Sequence, residues 1–357
     1  MLTAGGPAAR AAEFHAGWTG DFASVVDGGL DRDERHMGLV EFTFDHEFAV
    51  DQRIVTLYVA GQHVYGGGFS EEAVGDLQTV SNIDADGGTR VLEAWLDVPL
   101  TDTLSMRFGR YDLNSEFDVI DRAGLLLHSS HGIGPDISQT GAAGPSIFPR
   151  TALALRLQYD VGGGHAVRGV VLDLESDPDG EYGDVPFFEG SMIALEYQFG
   201  AEQTLWKAGA WGFTRSRQSD TSPTERDREY GAYASVEHGI AGPWVGYLRF
   251  GVANEDVSRL GAYAGAGLAH EGGLLRTRDD AVGIAIAHAR NADAYREAMR
   301  AAGTVTTAAE TALELTWRVP LGEHVVLQPD LQYVIDPDSN PAIDDALVAM
   351  LRVELRF

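Results

Sequence analysis

The C-terminal stretch LVAMLRVELRF, residues 347–357, alternates between two kinds of side chain. Every odd-numbered residue in it is apolar, whereas the even-numbered ones include Arg352, Glu354 and Arg356. Because successive side chains of a β-strand point to opposite faces, the stretch predicts a strand with one apolar and one mostly charged face. Such a ribbon suits a boundary between lipid and a water-filled lumen, as in a transmembrane β-barrel.

The same period of two recurs along the chain, and the runs are separated by turn-forming Gly, Pro, Asp and Ser. About fourteen strands are recognisable, and barrels of one chain carry an even number of strands. Because weak strands are easily missed, sixteen strands are equally compatible. The clearest further runs are residues 40–45, 153–160, 193–199, 313–319 and 325–335. Turn-rich pieces lie at 66–68, 162–164, 176–184 and 216–228.

Membrane-spanning helices are excluded by the lack of long apolar stretches. A helical span needs about 18 or more apolar residues in a row, and the best candidate, residues 281–289, is half that length. A closed barrel is the other structure that can cross a bilayer. A soluble β-sandwich also alternates apolar and polar residues, but strand-end aromatics favour an interfacial girdle and hence the barrel. They are Tyr159, Tyr197, Phe199, Trp244, Trp317, Tyr333 and Phe357.

The 357 residues show no linker or composition break, so residues 37–357 are predicted to form one barrel domain. Residues 1–36 receive no assignment. Within them, residues 1–12 lack the continuous apolar region of an intact signal peptide, so an export signal is expected to have been removed or replaced. The alanine-rich run at 291–302 breaks the strand pattern and predicts a short helix in a loop.

The composition excludes several classes of function. With 26 basic and 54 acidic residues, the net charge of −28 repels phosphate backbones and argues against nucleic-acid binding. The absence of cysteine excludes disulfides, thiolate zinc sites and a cysteine nucleophile. The eleven histidines form no tight cluster in sequence, so neither a metal site nor any other cofactor is predicted.

A long run from Arg107 to Phe148, RFGRYDLNSEFDVIDRAGLLLHSSHGIGPDISQTGAAGPSIF, resembles the carbohydrate-selective porin OprB family. The resemblance extends to residues 75–83, 151–159 and 310–357. It implies a sixteen-stranded barrel in the outer membrane of a Gram-negative bacterium. It also implies passive uptake of monosaccharides, and of some oligosaccharides, through a narrow eyelet lined by arginines, acids and aromatic residues. His128 and His131 depart from the residues expected there, and these departures are expected to bear on the substrate range.

Selection of neutral sugars needs hydrogen-bonding groups and flat apolar surfaces in a constriction. Arginine supplies donor forks, carboxylates supply acceptors, asparagine does both, and aromatic rings supply stacking faces. The segment 114–148 is too long and turn-rich for a hairpin tip and is expected to fold inward. The candidate constriction residues are Arg107, Arg110, Tyr111, Asp112, Asn114, Glu116, Asp121 and Trp95.

Alternation provides a partial check on this set. If Met106 and Phe108 face lipid, Arg107 and Tyr111 face the lumen. Arg110 shares that face only if Gly109 marks a bulge or the strand has already ended.

Three functions remain open at this stage. They are a pore for small neutral sugars, a general cation-preferring porin favoured by the acidic charge, and a barrel enzyme using paired carboxylates. The carboxylate pairs are Glu310 with Glu314 and Asp173 with Glu175, but lumen faces of barrels commonly carry such pairs. The expected surroundings are outer-membrane lipid and lipopolysaccharide, and either a homo-trimer or a monomer is compatible with the apolar exterior. Loop acids that would repel anions or bind divalent ions between lipopolysaccharide heads are Asp177, Asp179, Glu181, Asp184 and Asp220.

Overall fold

The computed structural model describes residues 10–141, 144–173, 190–220, 226–273 and 279–357. Within them, sixteen antiparallel strands form one closed barrel. The strands are β1 Glu13–Gly29, β2 Glu34–Val50, β3 Arg53–Tyr65, β4 Gly88–Pro99, β5 Leu104–Tyr111, β6 Ala152–Gly162, β7 His165–Asp173, β8 Ser191–Ala201, β9 Thr204–Gln218, β10 Arg226–Ala241, β11 Trp244–Ala253, β12 Leu260–Glu271, β13 Ala281–Asn291, β14 Ala309–Pro320, β15 Val325–Ile335 and β16 Asp344–Arg356. The predicted fold class is confirmed, with sixteen strands.

Each strand pairs with its neighbours in sequence, and β1 closes the barrel by pairing with β16. The register places Asp21 of β1 opposite Arg352 of β16. Residues 13–29, which the sequence leaves without assignment, are therefore a full strand of the wall.

Burial follows the predicted alternation closely. On β6, Leu155 and Leu157 are 40% and 44% exposed on the outside, whereas Arg156 between them is 2% exposed. The apolar outer face and the charged inner face are the pattern that a strand between lipid and lumen requires.

The two ends of the barrel differ. We call the end with the β2–β3, β4–β5 and β6–β7 connections, where β1 begins and β16 ends, the turn end, and the opposite end the loop end. The tight β6–β7 turn needs glycine at 164, which has a φ of +86°. A Cβ atom there would lie 2.1 Å from the carbonyl oxygen of Gly200. The long connections 66–87 and 112–151 both lie at the loop end.

Two loop-end connections fold back into the barrel. The β5–β6 segment, residues 112–151, contains short 3-10 turns and the helix α1, Pro135–Ser138. The β3–β4 segment, residues 66–87, contains a π-helical turn at Ser70–Val74. The inward fold of the first was predicted, whereas that of the second was not.

At the loop end the inner face is a packed apolar core and not a polar lumen. Met37, Val64 and Val348 of the wall are buried against Phe69 and Val80 of the β3–β4 segment. The β5–β6 segment contributes a second cluster, in which Leu113, Phe117 and Ile137 pack on Leu172 and Met192. Inward-facing apolar residues such as Val348 therefore anchor the infolded segments.

The predicted loop helix is present as α2, Asp293–Ala301, between β13 and β14. Among the described residues, none of the helices has the length and apolar character needed to cross a membrane.

Candidate pore constriction

The β5–β6 segment is held to the wall by four inward-facing glutamates that accept hydrogen bonds from its backbone. Glu196 binds the N–H of Asp118 at 3.0 Å, and Glu237 binds that of Arg122 at 2.8 Å. The carboxylate of Glu314 binds the backbone N–H groups of Leu127 and His128, and that of Glu229 binds Gly141. Buried backbone donors need such partners, and a charged acceptor makes the bond stronger than a neutral one.

A buried ion cluster adds a second attachment. Arg249 of β11 is 1% exposed and lies between Asp118 and Asp136 of the β5–β6 segment. Its Nη2 donates to Asp118 at 2.7 Å and to Asp136 at 3.1 Å, its Nε donates to Asp118, and its Nη1 donates to Asp136. Three charges out of water are tolerated because each one is hydrogen-bonded to an opposite charge.

The β3–β4 segment is fixed in the same way by Glu310 of β14. Its carboxylate accepts the backbone N–H groups of Leu77 at 2.7 Å and Gln78 at 3.0 Å. Gln332 of β15 donates to the carbonyl oxygen of Val80 at 2.8 Å. Both infolded segments therefore have defined positions in the lumen.

Between the two segments and the wall strands β1, β2 and β16 lies a cavity of about 530 Å³. Polar and apolar groups contribute about equally to its lining. Its wall residues are Thr19, Leu39, Glu41 and Arg352, the β3–β4 segment supplies Gln78, Thr79, Asn82, Ile83, Asp84 and Ala85, and the β5–β6 segment supplies Asp112, Asn114, Ser129, Gly132, Ile133, Ser138, Gln139, Ile147, Phe148 and Pro149.

Arg352 and Glu41 are the charged wall residues of this cavity. Arg352 is held by Asp21 through two hydrogen bonds of 2.7 and 2.8 Å, and it also donates to Asn82 at 2.7 Å. These bonds use its Nε and Nη2, so that Nη1 keeps its donors for other partners. Within the described residues, the carboxylate of Glu41 takes part in no hydrogen bond or ion pair. The wall thus presents a fixed cation and an unpaired acceptor to one cavity.

Asp112 and Asn114, two of the candidate constriction residues, line this cavity. Asp112 accepts the backbone N–H of Asn114 at 2.8 Å, and the amide of Asn114 donates to the carbonyl oxygens of Phe117 and Gly132. Burial, followed by repulsion from the Glu93 carboxylate, raises the pKa of Asp112 to about 7. Its charge therefore changes near neutral pH.

Arg107, Trp95 and Glu116 form a separate cluster beside the cavity. Arg107 faces the lumen, as alternation predicts, and its Nε donates to Asp97 at 3.1 Å. Its guanidinium carbon lies 3.6 Å from the ring centroid of Trp95. Arg156, which is not among the candidate residues, donates to Glu116 with two nitrogens at 2.8 Å.

The aromatic residues of this cluster do not have the free faces that were predicted. Tyr111 is 1% exposed and donates its hydroxyl to Glu116 at 2.6 Å. The ring of Trp95 contacts both the guanidinium group of Arg107 and the ring of Tyr58, with 4.9 Å between the ring centroids. Both residues pack against protein groups, which leaves little ring surface for a solute.

Two further predicted residues lie elsewhere. Arg110 stands opposite Leu153, which is exposed on the outer face, and donates to the backbone oxygen of Thr151. Gly109 does not therefore shift Arg110 to the lumen side. Asp121 lines a different cavity of about 420 Å³ beside the β8–β9 turn. The structure does not bring these two residues together with Arg107, because a strand reverses faces at each residue and the β5–β6 segment crosses the barrel.

The two histidines that depart from the family pattern are buried. His128 and His131 are each 1% exposed, and Nδ1 of His131 lies 2.7 Å from the hydroxyl of Tyr247. Burial lowers the pKa of His128 to about 3, so it is neutral at ordinary pH. Neither ring is part of the cavity lining, so these departures affect the packing of the segment.

The paired carboxylates considered for catalysis have other roles or fall outside the described residues. Glu310 and Glu314 accept hydrogen bonds from backbone N–H groups of the two infolded segments. Their carboxylates are therefore not available to a substrate. Asp173 is buried and has its own partners, whereas Glu175 lies outside the described residues. Of the loop acids, Asp220 pairs with Arg217, and the other four, at 177, 179, 181 and 184, lie outside the described residues.

Several solved structures are similar to this chain over nearly its whole length. The high-pH structure of OprB from Pseudomonas putida has a TM-score of 0.83 at 15% identity, covering 97% of this chain and 94% of that one. The outer membrane channel DcaP of Acinetobacter baumannii has a TM-score of 0.64 at 10% identity, with 97% of each chain covered. A mutant of the porin of Rh. blastica has a TM-score of 0.59 at 12% identity, covering 97% of this chain and all of that one. At these identities, the likeness shows the fold.

A comparison with curated proteins gives no match. The family model of the carbohydrate-selective porins, OprB family, matches residues 35–357. This range includes all of β2 except its first residue, the strands β3 to β16, both infolded segments and most of the cavity lining. The chain belongs to the carbohydrate-selective porin OprB family.

Proposed function

We propose that this porin lets small neutral sugars diffuse passively across the outer membrane of a Gram-negative bacterium, with the cavity of about 530 Å³ as its selective constriction. The volume lies within the range of about 300–1,000 Å³ that is usual for small-molecule sites. The observation that carries the proposal is the lining, which combines a fixed donor, an unpaired acceptor and apolar surface in one cavity.

A sugar gives up part of its hydration in a constriction and needs both donors and acceptors in return. Nη1 of Arg352 can donate to a hydroxyl oxygen, and the unpaired carboxylate of Glu41 can accept a hydroxyl proton. Ile83 and Phe148 provide apolar surface for the C–H face of the ring. Because Asp21 and Asn82 fix the guanidinium group, little side-chain ordering is required when a sugar enters.

Glu41, rather than Arg107, is the most informative position for a test. The side chain of Arg107 is held by Asp97, Glu116 and Trp95, whereas the carboxylate of Glu41 has no described partner. Asp112 and Asn114 remain part of the proposed constriction. Arg107 remains a proposed neighbour, whose positive charge offsets the acidic residues of the constriction.

The experiment combines single-channel recording with liposome swelling. Glucose should reduce the current reversibly at millimolar concentration. A dissociation constant of 1 mM corresponds to a binding free energy of about −4 kcal/mol. Glu41→Gln, which keeps the shape but weakens the acceptor, should raise the blocking concentration several-fold. Glu47→Gln is the matched control, because it removes the same charge from the same strand outside the cavity lining.

The rival function is a general cation-preferring porin, which the acids Glu41, Asp84 and Asp112 around this cavity favour. In that case a hexose and an uncharged non-sugar solute of equal size would swell liposomes at equal rates, and no mono- or disaccharide would block the current. That pair of results would replace the sugar pore by the general porin. Faster entry of the hexose supports the proposal.

A further inference from the structure

We propose that Glu13, His15 and Asp45 form a binding site for a divalent transition-metal ion, of which Zn²⁺ is the best example, inside the turn end of the barrel. The three side chains offer one imidazole nitrogen and two carboxylate oxygens that all lie within 4.8 Å of one another. The proposal does not rest on sugar transport, because it concerns a different part of the lumen.

The position of the site follows from the strand register. β1 runs without a register shift from Glu13 to Val25, so Glu13 and His15 share a face with Asp21, whose carboxylate binds Arg352 inside the barrel. Asp45 of β2 is directly opposite Glu13, and Thr43 is opposite His15. Glu13 and Asp45 are therefore a cross-strand pair, with His15 at the diagonal position on the same inner face.

The electrostatic surroundings favour a cation at this place. Nε2 of His15 lies 3.8 Å from the carboxylate of Glu13. Within the described residues, neither Glu13 nor Asp45 forms an ion pair with lysine or arginine. The nearest arginine along β16, Arg356 opposite Gly17, is paired with Glu354. Two carboxylates thus stand beside an imidazole without a basic partner.

The ligand set selects among metals. An imidazole with two carboxylates suits Zn²⁺ and similar ions, whereas Mg²⁺ prefers oxygen ligands in octahedral geometry. The side chains of His15 and Glu13 are 64% and 55% exposed, which leaves room for water to complete the coordination. Glu13 and His15 also precede residues 35–357, so the region that defines the family does not include them.

The spacing of the histidines in sequence could not indicate this site, because its ligands come from two strands that pair only in the folded barrel. A cation bound there would stand in the path of ions at the mouth of the pore. It would add positive charge to an acidic lumen, reduce the current and lower the preference for cations.

The test uses the detergent-solubilised full chain, with zinc chloride added in planar bilayers and in isothermal titration calorimetry. We expect one zinc ion per chain, a fall in current that a chelator reverses, and no comparable effect of magnesium chloride. His15→Ala and Asp45→Asn should each weaken zinc binding about tenfold or more, as loss of metal-site residues generally does. His46→Ala is the control, because His46 neighbours Asp45 but lies on the opposite, outer face.

Equal affinities for zinc in the parent chain and in His15→Ala would overturn the proposal. An equal response to magnesium and zinc would also overturn it, because general attraction by an acidic lumen would then be sufficient. Loss of zinc binding in His15→Ala but not in His46→Ala supports the site, whether or not sugars pass through the pore.

Discussion

Replacing Arg249 by alanine tests whether the buried ion cluster holds the constriction in place. The guanidinium group makes four hydrogen bonds to Asp118 and Asp136, and all three side chains are buried. Removing it leaves two buried carboxylates without their cation, which costs about 3–5 kcal/mol. If this free energy is lost from the attachment of the β5–β6 segment to the wall, the population in which the segment is detached increases roughly a hundredfold to a few thousandfold.

The barrel itself should survive, because β11 keeps its backbone ladders with β10 and β12. We therefore expect Arg249→Ala to show larger and noisier single-channel currents, weaker sugar block and faster proteolysis within residues 112–141. A heat-induced change in gel migration, which we expect of the folded barrel, should be the same in the variant and in the parent chain. Arg226→Ala, which removes an exposed arginine from β10, is the control and should behave like the parent chain.

A neutral triple variant separates loss of charge balance from loss of packing. Arg249→Met with Asp118→Asn and Asp136→Asn removes the cation and both anions together, so that no buried charge is left unpaired. It should recover most of the parent behaviour. If Arg249→Ala alone had the current, the sugar block and the proteolysis rate of the parent, the cluster would not hold the segment.

Two further predictions concern charge in and beside the cavity. The pKa of Asp112 is about 7, above the value of about 3.9 in an unfolded chain. Stability contributed by its protonated form is therefore lost as pH rises through 7, while the cavity gains a negative charge. As the pH rises, the cation-to-anion permeability ratio should rise with a midpoint near pH 7. Asp112→Asn should abolish this pH-dependent rise. If the rise were unchanged in Asp112→Asn, another group would be responsible for it. Arg107→Ala should raise conductance and cation preference, because Asp97 and Glu116 would keep only Arg156, while thermal stability changes little; unchanged conductance would show that Arg107 serves only the wall.

The strands that the sequence revealed most clearly are those whose two faces differ at every position, such as β6 and β16. β1 was missed because glycines dilute its pattern. Gly20 is one of them, and a Cβ atom there would lie 2.4 Å from the ring of Trp18. The glycine thus makes room for an aromatic side chain on the outer face, a packing requirement that periodicity cannot show.

The constriction was less predictable than the barrel. Alternation placed Arg107 and Arg352 correctly on the inner face, but it contains no information on which inner residues share a cavity. That grouping depends on where the infolded segments cross the lumen. Glu41 and Arg352 meet at the cavity because β1 lies between β2 and β16, a closure that local patterns do not reveal.

The attachment of the β5–β6 segment to the wall has a consequence for how such pores diversify. Four wall glutamates bind its peptide N–H groups, which every residue except proline possesses. Mutations that exchange the cavity-facing side chains therefore leave these attachments unchanged. A new solute preference can therefore evolve through substitutions in this one segment, without any change in the wall residues that bind its backbone.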